Sequence, residues 1–478
     1  MAIALRSALS YLLPTVAGWT VVSALWPNCP RMLRGVLGLG LGLGIAGMVW
    51  MLSVIVFGTA RVSLLVCDAT LIAVSAVSWI RRPPRNLALA PIKEPSSRLQ
   101  RGGAAALMVI MLFVAITIGH AIRIGPHGGF DAIAIWNSRA RFFYLATKPL
   151  SVLPDVANPE YPILLPSLIV RGWQYNKQDT IVIPISLAAI FTVGTILLLL
   201  GLRSVTGSGA AWLGGAVLAG TPFFLMHGLS QYADVVMSFF ITAGVVTFAI
   251  ADFSKGLQST YLPFMAGLFA GFAACVKNEG TLVVVAMVLS RLCILAWDRQ
   301  WKTEGIRIGM FLAGLLPGIL TLAAHRKVSP PSYLLANMTN ATIQSRITSL
   351  PQHSAILAGY WRDLRHFGEW WINPLLLLLV FVVIRRSMKS ALPFTRAWRL
   401  PALFVAMMLC GFYLIYLFTP YEVNWHVASS FNRLLLQLWP SALLLWIFLI
   451  TPERTEQSRL ADSRNKRGIA AGEAADDL

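Results

Sequence analysis

The chain has 478 residues, of which 57% are hydrophobic and only 12% are charged. A soluble domain carries about 25% charged residues, so the composition excludes a soluble enzyme, and the recurring apolar runs exclude a disordered or fibrous chain. The formal net charge is +19, but the cations lie in short loops between apolar runs, as membrane topology requires. The sequence therefore predicts an integral membrane protein without a nucleic-acid partner.

Apolar runs long enough to cross roughly 30 Å of hydrocarbon recur along almost the whole chain. Long runs without polar alternation are typical of helices and not of barrel strands, since backbone groups in lipid must be hydrogen-bonded internally. The sequence therefore predicts an all-α polytopic membrane protein with about 13 transmembrane helices. The predicted spans are residues 8–27, 35–58, 62–80, 104–124, 180–201, 209–226, 233–252, 261–276, 280–297, 307–325, 370–384, 400–419 and 434–450.

The distribution of lysine and arginine predicts the orientation. One set of alternate loops, together with the C-terminal tail, holds 23 of the 39 Lys and Arg residues, and the positive-inside rule makes this set cytoplasmic. The loops at 125–179 and 326–369 then face outward, which for a bacterial inner membrane is the periplasm. All seven histidines fall in outer loops or at outer span ends, so titratable chemistry is predicted on the outer side.

Four segments follow from this topology. A proline-rich, basic stretch separates three N-terminal helices from the rest, and the polar C-terminal tail is predicted to be disordered. Four of the five cysteines lie in apolar spans, so no disulfide framework or cysteine metal site is predicted. The segments are three transmembrane helices at 1–80, a cytoplasmic linker at 81–103, the main transmembrane domain at 104–450 and a cytoplasmic tail at 451–478.

The first outer loop contains a segment, residues 130–144, that is too polar to span a membrane and too aromatic for a solvated loop. It lacks Gly and Pro, which favours a helix lying at the membrane interface. The side predicted to face lipid is Trp136, Phe143 and Tyr144, and the head-group side is Arg139 and Arg141. Asp131 stands at the start of this segment, where it either caps the helix N-terminus or carries chemistry.

Further charged residues stand at the outer ends of other spans. Glu160 lies in Asn158-Pro-Glu-Tyr-Pro162, where the prolines favour a fixed, extended turn; the alternative is an exposed glutamate in a plain re-entry turn. Asp234 opens a span, as a helix cap or as a binding group. Lys277 and Glu279 share a very short hairpin, whose tight turn would explain its glycine without requiring either charge.

Two candidates belong to the last span. Arg433 would enter hydrocarbon at a cost of several kcal/mol unless it snorkels or is paired, which favours a ligand-binding or ion-pair role. His426 precedes it by seven residues and is either a binding group or a satisfied interfacial histidine.

Taken in order, these motifs resemble bacterial membrane glycosyltransferases of the GT-C superfamily, whose relatives include protein mannosyltransferases and the aminoarabinose transferase of lipid A. The resemblance covers about residues 104–450 and is most specific in the first-loop segment. The matching motifs are Phe130-Asp-Ala-Ile-Ala-Ile-Trp-Asn-Ser-Arg139-Ala-Arg-Phe-Phe-Tyr144, Pro159-Glu-Tyr-Pro162, Tyr232-Ala-Asp234, Lys277-Asn-Glu-Gly280, Trp425-His426 and Arg433-Leu-Leu-Leu-Gln437.

The resemblance implies a GT-C-like fold and transfer of a sugar from a polyprenyl-phosphate carrier to an acceptor hydroxyl of a lipid, glycan or protein, on the outer face. It places the catalytic carboxylate at Asp131. Many members have two adjacent acidic residues there, but Ala132 follows here, so Glu160 is the candidate second carboxylate and a divalent metal ion is left open. The candidate substrate-binding residues are Lys277, Glu279, Arg433, His426, Asp234 and Arg139.

Two other classes of function stay open. A transporter or flippase for a lipid-linked or anionic substrate would show paired repeats and broken helices with charges at the membrane midplane, whereas the charges here crowd at one face. In a non-catalytic membrane scaffold, Asp131→Asn should leave function unchanged. The glycines between Gly35 and Gly44 predict close helix packing and are not a phosphate loop, because the Lys-Ser/Thr ending is missing.

Overall fold

The computed structural model describes residues 2–81, 98–206, 209–254, 256–331, 340–370, 373–387 and 396–451. Every regular element of these residues is a helix, which confirms the all-helical class. Most of the predicted linker at 81–103 and nearly all of the predicted tail at 451–478 lie outside the described residues.

In chain order the α-helices are α1 (Ala2–Leu25), α2 (Arg31–Phe57), α3 (Ala60–Ile80), α4 (Arg98–Ile124), α5 (Asn137–Leu145), α6 (Leu164–Asn176), α7 (Val182–Gly201), α8 (Arg203–Thr206), α9 (Ala210–Ala219), α10 (Pro222–Leu229), α11 (Ala233–Ala251), α12 (Leu257–Val276), α13 (Glu279–Asp298), α14 (Trp301–Val328), α15 (Asn340–Ile347), α16 (Leu350–His366), α17 (Pro374–Ser387), α18 (Arg399–Leu417) and α19 (Val423–Ile450). A π-helix, Ala132–Trp136, precedes α5, and a 3₁₀-helix, Pro149–Asp155, follows it.

Ten helices of the described residues are long and apolar enough to cross a membrane, so the protein is a multi-pass membrane protein. They are α1, α2, α3, α7 continued by α8, α11, α12, α13, α14, α18 and α19. The predicted spans at 104–124 and 370–384 correspond to shorter apolar stretches, Met108–Ile124 and Leu375–Ile384. The count of 13 spans therefore stays a prediction.

The predicted span at 209–226 is broken into α9 and α10, which meet at an angle of 60°. Pro222 occupies the first turn of α10. Proline has no N–H and its ring crowds the preceding turn, which favours the start of a new helix at this position. With both halves counted as one span, the described residues contain eleven candidate spans.

A second interruption lies between α16 and α17, which together follow α19 along its length. Ring contacts link Tyr360 to Phe431 at 3.9 Å between centroids, Phe367 to Trp439 at 5.2 Å, and Phe381 to Trp446 at 5.5 Å. Helix α16 ends at His366, and in the described residues that follow it Gly368 and Glu369 have positive φ angles of 87° and 57°. The end of the predicted outer loop 326–369 is thus a helix packed on the bundle.

The N-terminal helices are bound to the rest of the chain through α6, a buried helix that the sequence analysis did not predict. The Arg171 guanidinium of α6 donates to Asp68 Oδ1 of α3 at 2.6 Å and to the Ser10 carbonyl of α1 at 2.5 Å. Tyr175 donates to the other Asp68 oxygen at 2.6 Å. Helix α6 directly follows the turn at 158–162, so these contacts hold one side of that turn in place.

Glycines allow several helices to pack at backbone contact. A Cβ atom at Gly42 of α2 would lie 1.7 Å from the Pro14 carbonyl oxygen of α1, which confirms the close packing predicted for the glycine run. An equivalent contact joins α12 to α14, where Gly267 and Gly271 face Gly314 and Gly318. Both helices thus use the small-xxx-small spacing that brings membrane helices together.

Replacing Gly314 by alanine is expected to lower the free energy of unfolding by about 1–3 kcal/mol. The added Cβ would lie 1.9 Å from the Phe264 carbonyl oxygen, so the helices would have to separate. Gly309→Ala is the matched control on the same helix, because no atom lies within 4 Å of that Cβ position. Dodecyl sulfate titration in mixed micelles measures both variants, and equal losses would contradict this account.

Charged side chains are buried at both ends of α11. Near its C-terminal end, Arg291 donates to Asp252 at 2.8 Å, and Arg307 donates to Asp252 at 3.2 Å and to Glu304 at 2.5 Å. This cluster holds two cations and two carboxylates, so its formal charges balance. The cluster near the N-terminal end contains the residues predicted from the sequence.

Candidate active site at one end of the bundle

Five charged side chains meet where α11 and α13 begin and α12 ends. We call this set the charge cluster: Asp131, Asp234, Lys277, Glu279 and Arg433. Asp131 directly precedes the π-helix, Asp234 lies in the first turn of α11, and Lys277 and Glu279 come from the α12–α13 hairpin. Arg433 projects from α19. The structure thus brings together residues that are up to 302 positions apart in the chain.

Asp234 is the centre of the cluster and is fully buried, with 0% exposure. Its Oδ2 accepts from Arg433 Nε at 3.1 Å and Nη2 at 2.7 Å, and its Oδ1 accepts from Lys277 Nζ at 3.0 Å and Gln437 Nε2 at 2.7 Å. The N-cap residue of α11 is Tyr232, and the four hydrogen bonds of the Asp234 carboxylate come from side chains, so the helix-cap alternative for Asp234 is wrong. Its four contacts fix the positions of both cations.

Asp131 shares the Arg433 guanidinium with Asp234. Arg433 Nη2 donates to Asp131 Oδ2 at 2.6 Å, and the guanidinium carbon lies 5.1 Å from the centre of the Tyr232 ring. The Asp131 and Arg433 side chains are 16% and 25% exposed, so this side of the cluster is open while the Asp234 side is closed. Asp131 makes no side-chain cap bond, and its helix-cap alternative is therefore wrong as well.

Lys277 supplies the second positive charge. Its Nζ lies 3.0 Å from Asp234 Oδ1 and 3.1 Å from Glu279 Oε1. Burial by itself lowers the pKa of Lys277, but the charges of Asp234 and Glu279 outweigh it and raise the pKa above its ordinary value. The ammonium group therefore stays charged at neutral pH.

Two loops are tied together so that Asp131 arrives beside Asp234. Gln231 donates to the Pro126 carbonyl at 3.0 Å and accepts from Asn137 at 2.7 Å. The Gly129 N–H donates to the Ser230 carbonyl at 3.0 Å. Since residue 231 adjoins the start of α11 and residue 129 adjoins Asp131, these bonds set the distance between the two carboxylates.

Arg139 holds the turn that carries Glu160. Its buried guanidinium donates to the carbonyl oxygens of Ala157 and Asn158 at 2.5 Å and of Tyr161 at 3.0 Å. Burial lowers the pKa of Arg139 to about 10, and the charge of Glu160 opposes this shift. Arg139 thus positions the turn through its backbone, and the substrate contact predicted for it stays a prediction.

Glu160 is half-buried beside the cluster. Among the described residues its side chain forms no ion pair within 4.0 Å, so it is not joined to Asp131 through a shared cation. Its neighbour Tyr161 stacks on Trp136 with ring centres 5.8 Å apart. Burial, followed by the charge of Glu279, raises the pKa of Tyr161, so its hydroxyl stays protonated. The role of Glu160 as second carboxylate stays a prediction.

The helical segment predicted in the first outer loop exists, as the π-helix and α5. The prediction that Trp136 and Phe143 face lipid is wrong, because both are buried against the protein, as is Arg139. Arg141 is exposed and pairs with Asp179 at 2.8 Å. The exposed apolar side chains of this segment are Phe130, Ile133, Phe142 and Leu145, and they form the surface that an interfacial position would place in lipid.

His426 stands apart from the charge cluster. Its Nδ1 lies 2.7 Å from Thr419 Oγ1, and its ring packs edge-on against Tyr416 with centres 5.0 Å apart. It precedes Arg433 by seven residues, which is about 10 Å along the helix. Among the described residues no ion pair links it to the cluster, and its substrate role stays a prediction.

The carboxylates of the cluster do not fit a divalent metal ion as they are paired here. Asp131, Asp234 and Glu279 each lie within 3.1 Å of the nitrogen of Arg433 or Lys277, and these cations occupy the space that an ion would need. Within the described part of the chain, no group of three or more His, Cys, Asp or Glu side chains is arranged to hold a metal.

Sequence reasoning missed Gln437 and Tyr232 as parts of this site. Gln437 follows Arg433 by four residues and so lies on the same helix face, from which both reach Asp234. Tyr232 precedes α11 and flanks the guanidinium. The four-residue spacing from Arg433 could have indicated Gln437. A buried charge in a membrane protein is costly and therefore indicates a function or a partner, whereas a buried uncharged side chain gives no such indication.

No protein-family model, curated protein or solved structure matches the chain. The superfamily membership predicted from the motifs therefore stays a prediction, and the arguments about function rest on the residues of the charge cluster.

Proposed function

We propose that the protein is a GT-C-type glycosyltransferase that moves a sugar from a polyprenyl-phosphate carrier to an acceptor hydroxyl. We place it in the inner membrane of a bacterium with the charge cluster facing the periplasm. The observation that carries the proposal is the shared guanidinium of Arg433, which joins a partly exposed carboxylate, Asp131, to a fully buried one, Asp234. A candidate base and a phosphate-binding cation are thereby in direct contact.

The chemistry uses the two ends of this contact. The acceptor oxygen forms a bond to the anomeric carbon while the bond from that carbon to the phosphate oxygen breaks, and the electron pair leaves with polyprenyl phosphate. The proton of the acceptor hydroxyl passes to the Asp131 carboxylate, which acts as general base. Direct displacement of this kind inverts the anomeric configuration.

The departing phosphate gains negative charge and needs fixed cations nearby. Arg433 binds phosphate through its planar fork, and Lys277 adds a point charge. Asp234 keeps both cations in place before substrate arrives, so little reorganisation is required during the reaction. Glu160 and Glu279 are the acidic groups left to contact the sugar or the acceptor.

Asp131→Asn is expected to lower the rate of sugar transfer about 10²–10⁴-fold, because the amide cannot accept the hydroxyl proton. The measurement is transfer from a radiolabelled polyprenyl-phosphate sugar in proteoliposomes supplied with candidate acceptors. Asp179→Asn is the control, since it removes a carboxylate that pairs with exposed Arg141 outside the cluster. Full activity of Asp131→Asn would reject Asp131 as base, and a retained anomeric configuration would reject direct displacement.

A transporter or flippase for a lipid-linked anion is the second candidate, and the bent helix pair α9–α10 favours it. The breaks α9–α10 and α16–α17 adjoin each other at Trp439, whose Nε1 donates to Thr221 at 3.1 Å and whose ring contacts Phe367 at 5.2 Å. Interrupted helices of this kind surround the substrate in many transporters. Movement of a fluorescent polyprenyl-phosphate lipid from one leaflet of the proteoliposome membrane to the other, without a covalent product, would support this candidate over the enzyme.

A further inference from the structure

The charge cluster contains more negative than positive charges, which disfavours the binding of an additional anion. It contains three carboxylates and two cations, a formal charge of −1. The balanced cluster around Arg291 shows that this chain can pair its buried charges evenly. A donor phosphate would bring a further negative charge into a site that already has one in excess, which is costly away from water.

The contacts identify which carboxylate can give way. Asp234 is fully buried and accepts four hydrogen bonds, from Arg433 twice, from Lys277 and from Gln437. Among the described side chains, Asp131 takes its ion pair from Arg433 alone, and it lies on the exposed side of the guanidinium. Breaking that contact uncovers one edge of the Arg433 fork and leaves the buried contacts intact.

The backbone on both sides of Asp131 suits such a movement. The residue is followed by a five-residue π-helix, Ala132–Trp136, a rare form that is often found at functional sites. It is preceded by Gly128, whose φ angle is +80°, and by Gly129. A short shift confined to residues 130–136 moves the carboxylate while the flanking hydrogen bonds, from Gly129 to Ser230 and from Asn137 to Gln231, stay intact. Such a shift does not disturb α11 or α19.

We infer that Asp131 Oδ2 occupies the place on Arg433 that a phosphate oxygen of the donor takes, so that phosphate and Asp131 compete for one guanidinium. Donor binding then releases Asp131, which becomes free to accept the acceptor's proton only when a leaving phosphate is present. This inference rests on the proposed function and adds to it the position of the phosphate and the order in which the base becomes available.

Direct binding of a long-chain polyprenyl phosphate without sugar tests the exchange. The protein is placed in phosphatidylcholine nanodiscs, and the dissociation constant is measured from the change in tryptophan fluorescence. Removing the competing carboxylate in Asp131→Asn should tighten binding about fivefold, the gain expected for losing one partly exposed ion pair. Asp131→Glu keeps a carboxylate and should bind within about twofold of the wild type.

Asp363→Asn is the matched control for net charge. Asp363 is similarly buried and pairs with Arg362 at 2.7 Å outside the cluster, so its removal should leave binding unchanged. Asp131→Ala removes the same carboxylate without adding an amide, and it replaces the asparagine variant in the test if that variant folds poorly. Unchanged or weaker binding by both Asp131 variants, or equal tightening by Asp363→Asn, would overturn the exchange while leaving the transferase proposal standing. Failure of the wild type itself to bind polyprenyl phosphate would overturn the proposed function.

Discussion

Asp234→Asn is expected to lower the free energy of unfolding by about 3 kcal/mol, because the amide cannot replace the charge-assisted hydrogen bonds that the buried carboxylate accepts from Arg433 and Lys277. The substitution is isosteric but removes the negative charge that Lys277 and Arg433 share. Glu279 and Asp131 remain within 3.1 Å of these cations, but both lie on the open side of the cluster. The variant is compared with the wild type by dodecyl sulfate titration in mixed micelles.

Two further variants separate this explanation from a general effect of losing an aspartate. Asp179→Asn breaks an ion pair with an exposed arginine and should cost less than about 1 kcal/mol. Lys277→Met and Asp234→Asn remove the same ion pair, so the double variant should lose less stability than the sum of the two single variants, as coupled residues do in a double-mutant cycle. An unfolding curve for Asp234→Asn that overlays the wild type would contradict the central role of this carboxylate.

Much of the bundle could be predicted from hydropathy, because the length of an apolar run is set directly by the thickness of the bilayer. The structure departs from the hydropathy prediction where single residues or short segments oppose the average hydropathy of the run. Residues 209–226 form one apolar run, but Pro222 interrupts its backbone. Helix α6 is 13 residues long, too short to span, and contains Arg171, whose partner Asp68 lies 103 positions earlier in the chain.

Each member of the charge cluster could be predicted from the sequence as a candidate site residue. The contacts between the members could not be predicted. A charge at the end of an apolar span is costly unless it is paired or functional, and this signal selected Asp234, Lys277, Glu279 and Arg433, whereas Asp131 was selected by the first-loop motif. It does not say which charges meet, because Arg433 and Asp131 are 302 positions apart. The head-group position predicted for Arg139 was wrong, because its buried charge is satisfied by the backbone carbonyls of a neighbouring turn.

The prediction of which side of the first-loop helix faces lipid was wrong for a related reason. Aromatic side chains are common both at membrane interfaces and in protein cores, so their presence does not distinguish the two. Trp136 is buried by its stack on Tyr161, a contact that depends on where the turn at 158–162 lies. Tertiary packing, which the sequence of this segment does not contain, decides which side of the helix faces lipid.

Arg433→Gln is expected to lower the rate of sugar transfer about 10³–10⁵-fold, the range found when an arginine that neutralises a phosphoryl transition state is removed. The glutamine cannot balance the charge that develops on the departing phosphate, and it frees Asp131 from its partner without supplying a cation. Arg433→Lys keeps the charge but loses the planar fork, so its rate should fall between those of the glutamine variant and the wild type. Transfer by the folded protein in proteoliposomes measures both.

Arg291→Gln is the matched control for the structural part of this effect. Arg291 is fully buried and, like Arg433, lies within 3.5 Å of two carboxylates, Asp252 and Glu304, but at the opposite end of α11. Its loss should reduce stability while the transfer rate per folded molecule stays near that of the wild type. If the two glutamine variants lost stability and transfer in the same proportion, Arg433 would act only as a structural ion-pair partner, and the charge cluster would have no role in the chemistry.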